Sequence, residues 1–153
     1  MADGNKENYE WILNYCAQLF QYPDKNIKLI MVLRGESGCG KDTFIDILES
    51  LMGVANNYVH RTSRVSDILG DGFNSCLKNK LLVQYNEMEG KDGVKIKEQM
   101  KDLATRDTNT INQKHMSVIN QKNYARQIVV SNNQSPVQYS FDERRFVMFK
   151  VGN

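Results

Sequence analysis

The stretch KLIMVLRGESGCGKDT, residues 28–43, decides the fold of this chain. Its first six residues are a nearly continuous apolar run, as expected of a parallel strand covered on both faces. Residues 34–40 then form a glycine-rich loop. A helix is expected from Lys41, with Phe44, Ile45, Leu48, Leu51 and Met52 on one face and Gly53 at its C-terminal end. Between strand and helix, Gly35-Glu36-Ser37-Gly38-Cys39-Gly40-Lys41 satisfies the spacing of a phosphate loop. The physics requires this arrangement. Glycines let the backbone curl until successive N–H groups point inward at phosphate oxygens. The helix adds the positive end of its dipole, and Lys41 brings a mobile point charge for the β- and γ-phosphates. A glycine-rich strand-to-helix turn with no ligand would share the composition, but not both the spacing and the flanking elements. ATP and Mg2+ are the expected ligands, held by residues 35–43.

One position departs from the pattern. A hydroxyl residue that ligates magnesium is usual after the lysine, and here it is Asp42, with Thr43 one step later. A carboxylate oxygen is itself a good hard ligand. Asp near a helix start is also a common cap, and both readings stand.

Outward from this core, Tyr9, Ile12, Leu13, Cys16, Leu19 and Phe20 recur at helical spacing and predict an amphipathic helix, broken by Pro23 and Asp24. On the C-terminal side, residues 57–61 suit a strand and residues 67–77 are ambiguous. Residues 81–85 form an apolar strand ending in Asn86-Glu87. After a Gly90–Gly93 turn, Ile96, Met100 and Leu103 mark a second amphipathic helix. Residues 108–123 are polar and β-tending, with Lys114-His115 near the middle, and residues 128–130 and 146–151 are further strands. Strands alternating with helices predict an α/β layer structure with a mainly parallel sheet and helices on both faces. The reading is one domain, 1–153, with an N-terminal helix at about 6–22 and a nucleotide-hydrolysing core at about 27–153.

Three strand ends carry further chemistry. After residues 80–85, Asn86 stands where an aspartate is usual, and Glu87 is placed to polarise an attacking water. Asp42, Asn86 and Glu87 are the candidate magnesium ligands. Residues 128–130 end in Ser131-Asn132-Asn133, and an Asn there suits a sensor of the γ-phosphate, although strand-end asparagines are also plain turn formers. Asp142-Glu143-Arg144-Arg145 precedes the last strand, and a fixed guanidinium is what transition-state charge on a phosphoryl group calls for.

Composition sets outer bounds. The 153 residues, 41% apolar and 25% charged, are ordinary for one globular domain. A net charge of +2 is too small to argue for nucleic acid by itself. Three cysteines without paired spacing point to a reducing, intracellular and cytoplasmic setting, not a secreted disulfide framework. Two histidines leave little for an imidazole metal cluster. No apolar run reaches membrane-spanning length.

In order, the motifs are the phosphate loop, the Asn86-Glu87 strand end, Lys114-His115, Ser131-Asn132 and Arg144-Arg145 before a strand. The set resembles the superfamily 3 helicases of DNA viruses, phages and plasmids, nearest to poxvirus-type primase-helicases and their giant-virus and phage relatives. Residues 19–25 (LFQYPDK) and the DERRF of residues 142–146 are similar to that branch. The resemblance implies an AAA+-like fold with a β-hairpin insertion and ATP hydrolysis that drives translocation on single-stranded DNA during replication. Under it Lys41 binds phosphate, Glu87 is the catalytic acid and Asn132 the sensor. Lys114 and His115 contact DNA in the channel of a hexameric ring. Lys122 and Arg126 lie nearby in sequence. Arg144 or Arg145 reaches the neighbouring subunit's nucleotide. A primase domain is expected elsewhere in the same longer chain. Two other readings fit the residues: a P-loop nucleotide kinase, in which Gly-Lys-Asp-Thr is also at home, and a DNA-binding module with a degenerate nucleotide site.

Overall fold

A computed structural model describes residues 1–64, 68, 72–86, 93–132 and 144–152. Helix α1 spans Lys6–Gln21, strand β1 Ile30–Arg34, helix α2 Lys41–Met52, β2 Val59–Thr62 and β3 Leu82–Asn86. Helix α3 (Gly93–Thr105), β4 (Thr108–Ile111), β5 (Ile119–Lys122), β6 (Arg126–Ser131) and β7 (Phe146–Lys150) follow. Five strands form one sheet in the order β2-β3-β6-β1-β7, and every pairing in it is parallel. β4 and β5 make a separate antiparallel hairpin.

This order follows from the apolar content of the strands. β1 and β6 hold the centre, and their residues Ile30, Met31, Val32, Leu33, Ile128 and Val129 are fully buried, as strands covered on both faces must be. Side chains alternate between faces. Met31, Leu33, Ile128 and Val130 face Ile12, Tyr15 and Leu19 of α1 and Ile45 and Leu48 of α2. Ile30, Val32, Val83, Tyr85 and Val129 face Met100 and Leu103 of α3 and Ile111 of the hairpin. Helices therefore cover both faces, as the pattern predicts.

Asn5 caps α1 by accepting from the Asn8 backbone N–H at 3.0 Å. Its buried stripe is Ile12, Tyr15 and Leu19, with Trp11 stacked on Tyr15 and against Phe149. Tyr9, Leu13 and Phe20 of the expected face are instead exposed. The same correction holds at the end of α2, where Leu51 is 67% exposed. At about 100° per residue, Lys41, Ile45, Leu48 and Met52 fall on one narrow stripe and Leu51 lies off its edge. Lys41 heads that stripe, and so it is buried.

Arg126, near Lys114-His115 in sequence, is 0% exposed. Its guanidinium donates to Gln18 Oε1 at 2.7 and 2.9 Å and to the carbonyls of Tyr22 and Lys25 at 2.9 and 2.7 Å. It closes the C-terminal end of α1, which would otherwise leave carbonyls bare. Lys122 is exposed and pairs with Asp24 at 3.7 Å. The ambiguous region 67–77 contributes Ile68 to the core and a 3-10 turn at Ser75–Leu77.

Candidate nucleotide site

The registers bring the C-terminal ends of the strands level. Arg34 lies beside Ser131 on one side and Lys150 on the other, and Val130 lies beside Asn86. In open parallel sheets this edge is where ligands bind. The Gly35 N–H still pairs with the Ser131 carbonyl at 3.2 Å, so the loop leaves the sheet only at Glu36. A methyl group on Gly35 would stand 2.4 Å from the Val151 carbonyl oxygen, which explains glycine there. Gly38 and Gly40 hold φ of +80° and +89°, and nothing among the described residues lies within 4 Å of where a side chain would begin. The loop is thus an open cradle in left-handed backbone that only glycine adopts readily. Gly40 is the N-cap of α2 and supplies no side chain to the first-turn amides. Those amides are orphan donors with the dipole behind them, so the residues fit a phosphate group.

Lys41 is 4% exposed and its ammonium sits inside this cradle. It donates to the carbonyls of Gly35 and Glu36, each at 2.7 Å, and to Asn132 Oδ1 at 3.0 Å. The loop lysine and the strand-end asparagine, 91 residues apart in sequence, therefore meet at one point.

Asp42 is not the helix cap, since Gly40 holds that place; its carboxylate turns to β3 instead. Gln84 Nε2 donates both to Asp42 Oδ1 at 2.8 Å and to Asn86 Oδ1 at 2.6 Å. The two departures from the usual pattern share one donor. Gln84 is fully buried, and its own Oε1 has no hydrogen-bond partner among the described residues. Two oxygens brought this close, beside an open phosphate cradle, suit a hard divalent cation. Glu87, next along the chain, lies outside the described residues, as do Asn133, Asp142 and Glu143. Among the described residues no three His, Cys, Asp or Glu side chains cluster.

Arg144 and Arg145 are exposed and precede β7, whose first residue is level with Ile30 at the start of β1. They therefore stand at the edge opposite the phosphate loop, a full strand away. Lys114 and His115 are exposed at the turn of the β4–β5 hairpin, where His115 adopts φ +60°. Neither pair adjoins the loop of its own chain.

Residues 33–145 match the model of a family of unknown function, DUF5906. The chain belongs to this family. Over its full length this DUF5906 chain is 30% identical to a DNA primase-polymerase of Nitratiruptor phage NrS-1, and it spans 21% of that protein. Two apo structures of the NrS-1 C-terminal region superpose with a TM-score of 0.83. In one the identity is 28%, over 99% of this chain and 36% of the other; in the second it is 26%, over 97% and 35%. The DUF5906 chain is therefore related to a phage DNA replication protein and shares the α/β fold of its C-terminal region.

Sequence reasoning missed Gln84, because a polar residue at the fourth position of an apolar strand reads as an interruption. Its signal was the alternation: Leu82, Gln84 and Asn86 share one face, the face that carries α2. The contact makes a prediction for the paired departures. Asp42→Ser alone should weaken magnesium-dependent ATP binding, and adding Asn86→Asp should restore part of it. Titration of ATP at fixed Mg2+ should give a coupling on the order of 0.5–3 kcal/mol, the range for residues in contact. Additive losses would show that the two positions act independently.

Proposed function

We propose that this DUF5906 chain is the ATPase core of a superfamily 3-type helicase, hydrolysing ATP to translocate on single-stranded DNA during replication. The observation that carries the reading is the Lys41 Nζ–Asn132 Oδ1 contact at 3.0 Å inside an open glycine cradle. A lysine that grips phosphate and an amide that orients the γ-phosphate or water have to converge for hydrolysis. Loop amides and Lys41 hold the phosphates, Asn132 orients, and Glu87, one residue past Asn86, takes the proton of the attacking water. Magnesium held through Asp42 and Asn86 would neutralise charge developing between the β- and γ-phosphates. The relation to a phage primase-polymerase supports a replication role. In this proposal the priming activity lies in another part of a longer chain, and the helicase core assembles as a hexameric ring.

The rival, a nucleotide kinase, transfers the same phosphoryl group to a nucleoside monophosphate. Incubation with ATP and each monophosphate in turn is expected to release inorganic phosphate without phosphorylating the acceptor. Diphosphate formed from an added monophosphate would replace the helicase reading with the kinase.

The hairpin supplies the second test. Its exposed turn bears Lys114 and His115, and phosphate contacts there would be salt-dependent and nearly indifferent to base sequence. Lys114→Ala in the full ring-forming protein should weaken single-stranded DNA binding and make the salt dependence shallower by about 0.7 in log–log slope, the value for one lost phosphate contact on a single strand. ATP affinity should not change. An unaltered slope would remove the hairpin from the DNA path.

A further inference from the structure

At the end of the sheet opposite the phosphate loop lies a polar cavity of about 530 Å3, beside the starts of β2 and β3. Asn57, Ser75, Cys76, Lys78, Asn79 and Lys80 help to line it, and none of the described lining residues carries a carboxylate. Lys80 is 6% exposed. Its ammonium donates to the Asn57 backbone carbonyl and, at 2.8 Å, to Asn57 Oδ1, both neutral oxygens. Neither Lys78 nor Lys80 has a carboxylate within ion-pair distance among the described residues. Beside the Cys76 thiol, Lys80 also feels the charge of Glu49 from farther off, and that carboxylate is engaged by Arg61 at 2.6 Å. A buried ammonium held only by neutral oxygens is costly, and burial pushes the Lys80 group down from the usual lysine range, opposed by the Cys76 thiol and by Glu49. The cavity therefore presents two cations, several amides and a hydroxyl, with no carboxylate among its described lining residues.

The wall of this cavity is stapled to the hairpin. The Asn79 backbone N–H donates to Gln121 Oε1 at 3.3 Å, and Gln121 Nε2 donates to the Leu77 carbonyl at 3.4 Å. Asn74 clasps Asn112 just before the hairpin turn, accepting from its N–H at 2.7 Å. We propose that the cavity binds a backbone phosphate of a single-stranded nucleic acid that runs past the β4–β5 hairpin. The ammonium groups of Lys78 and Lys80 supply charge, and the asparagine amides and Ser75 hydroxyl donate to phosphate oxygens. No base is read, so the contact is independent of sequence. The proposal takes its ligand class from the nucleic-acid reading above and adds a second, separate contact point.

Cys76 in the cavity, Cys39 in the phosphate loop and Cys16 on α1 form no disulfide, and their thiols report the two sites separately. Alkylation of the full protein, mapped peptide by peptide, should show a single-stranded oligonucleotide slowing modification of Cys76 several-fold. Mg-ATP should slow Cys39 only, and neither should protect Cys16. Lys78→Glu should weaken oligonucleotide binding and make its salt dependence shallower by about 0.7 in log–log slope. Lys80→Met should act the same way if its melting temperature is near wild type; where it does not fold, Lys78→Glu and the thiol footprint decide. Protection of Cys76 by millimolar inorganic phosphate as strong as that by the oligonucleotide would make this a free-anion site and overturn the proposal. If Lys114→Ala weakens DNA binding while Cys76 stays unprotected and Lys78→Glu binds as wild type, the cavity is excluded and the nucleic-acid reading survives. A wild-type protein that binds no oligonucleotide defeats both.

Discussion

Mixing an Arg144→Ala, Arg145→Ala protein with a Lys41→Ala protein is expected to recover ATP hydrolysis that neither shows alone. The two arginines precede β7, and the parallel register sets the start of that strand level with the start of β1, five residues before the phosphate loop begins. At about 3.3 Å per residue, the strand separates them from their own nucleotide site by roughly 15 Å or more. An arginine side chain does not span that distance, so a guanidinium that acts on phosphate must act on a neighbour's. Where fingers of this kind have been assessed in other phosphoryl-transfer systems they contribute on the order of 10³–10⁵ in rate. The double arginine variant should fall by about that factor while binding nucleotide normally. In the mixture, interfaces pairing an intact loop with intact arginines should turn over. A mixture that stays inactive despite demonstrated co-assembly would rule out action in trans.

Lys41→Ala by itself should reduce hydrolysis by at least about 10²–10³, the loss seen when one preorganised donor to transition-state charge is removed. It should also abolish the rise in melting temperature that saturating Mg-ATP gives the wild type. The ligand-free protein responds too, because Lys41 fills the cradle it serves. Removing the ammonium strips the carbonyls of Gly35 and Glu36 and Asn132 Oδ1 of a donor. The apo melting temperature should therefore fall only modestly, because Glu36 and Asn132 are exposed and Gly35 half-buried, so water replaces much of the lost donor. Circular dichroism and DNA affinity should stay close to wild type. Retention of hydrolysis within a few-fold would show that phosphate charge is met elsewhere.

The fold was legible wherever apolar content and local geometry point the same way. Residues 28–43 announce strand, loop and helix because glycines at 35, 38 and 40 are the only residues that meet the close Val151 contact and the left-handed backbone. The polar stretch at 108–123 resolves into a hairpin that its own asparagines tie to the end of α3: Asn109 donates to Asn123 Oδ1 at 3.0 Å, and Asn123 in turn donates to the Leu103 carbonyl at 2.7 Å. Arg126 shows the limit. A basic residue beside a candidate DNA hairpin reads as surface charge, and only the tertiary fold reveals that it seals the end of α1, 108 residues back at Gln18. Gln84 was hidden for the same reason: its meaning is the pair of oxygens it joins, and no pattern within β3 contains Asp42. The loop chemistry is local and could be read, whereas the groups that support it come from other elements.

The most direct measurement is the rate of ATP hydrolysis per chain, with and without single-stranded DNA, across protein concentration. If the loop, Asn132 and a neighbour's arginine form one working site, specific activity should start near background at low concentration. It should then climb as chains associate, and climb further when DNA is added, with Lys41→Ala inactive throughout. A rate per chain that is already high at the lowest concentration, or that ignores both DNA and the loss of Lys41, would contradict a DNA-coupled ATPase at this site.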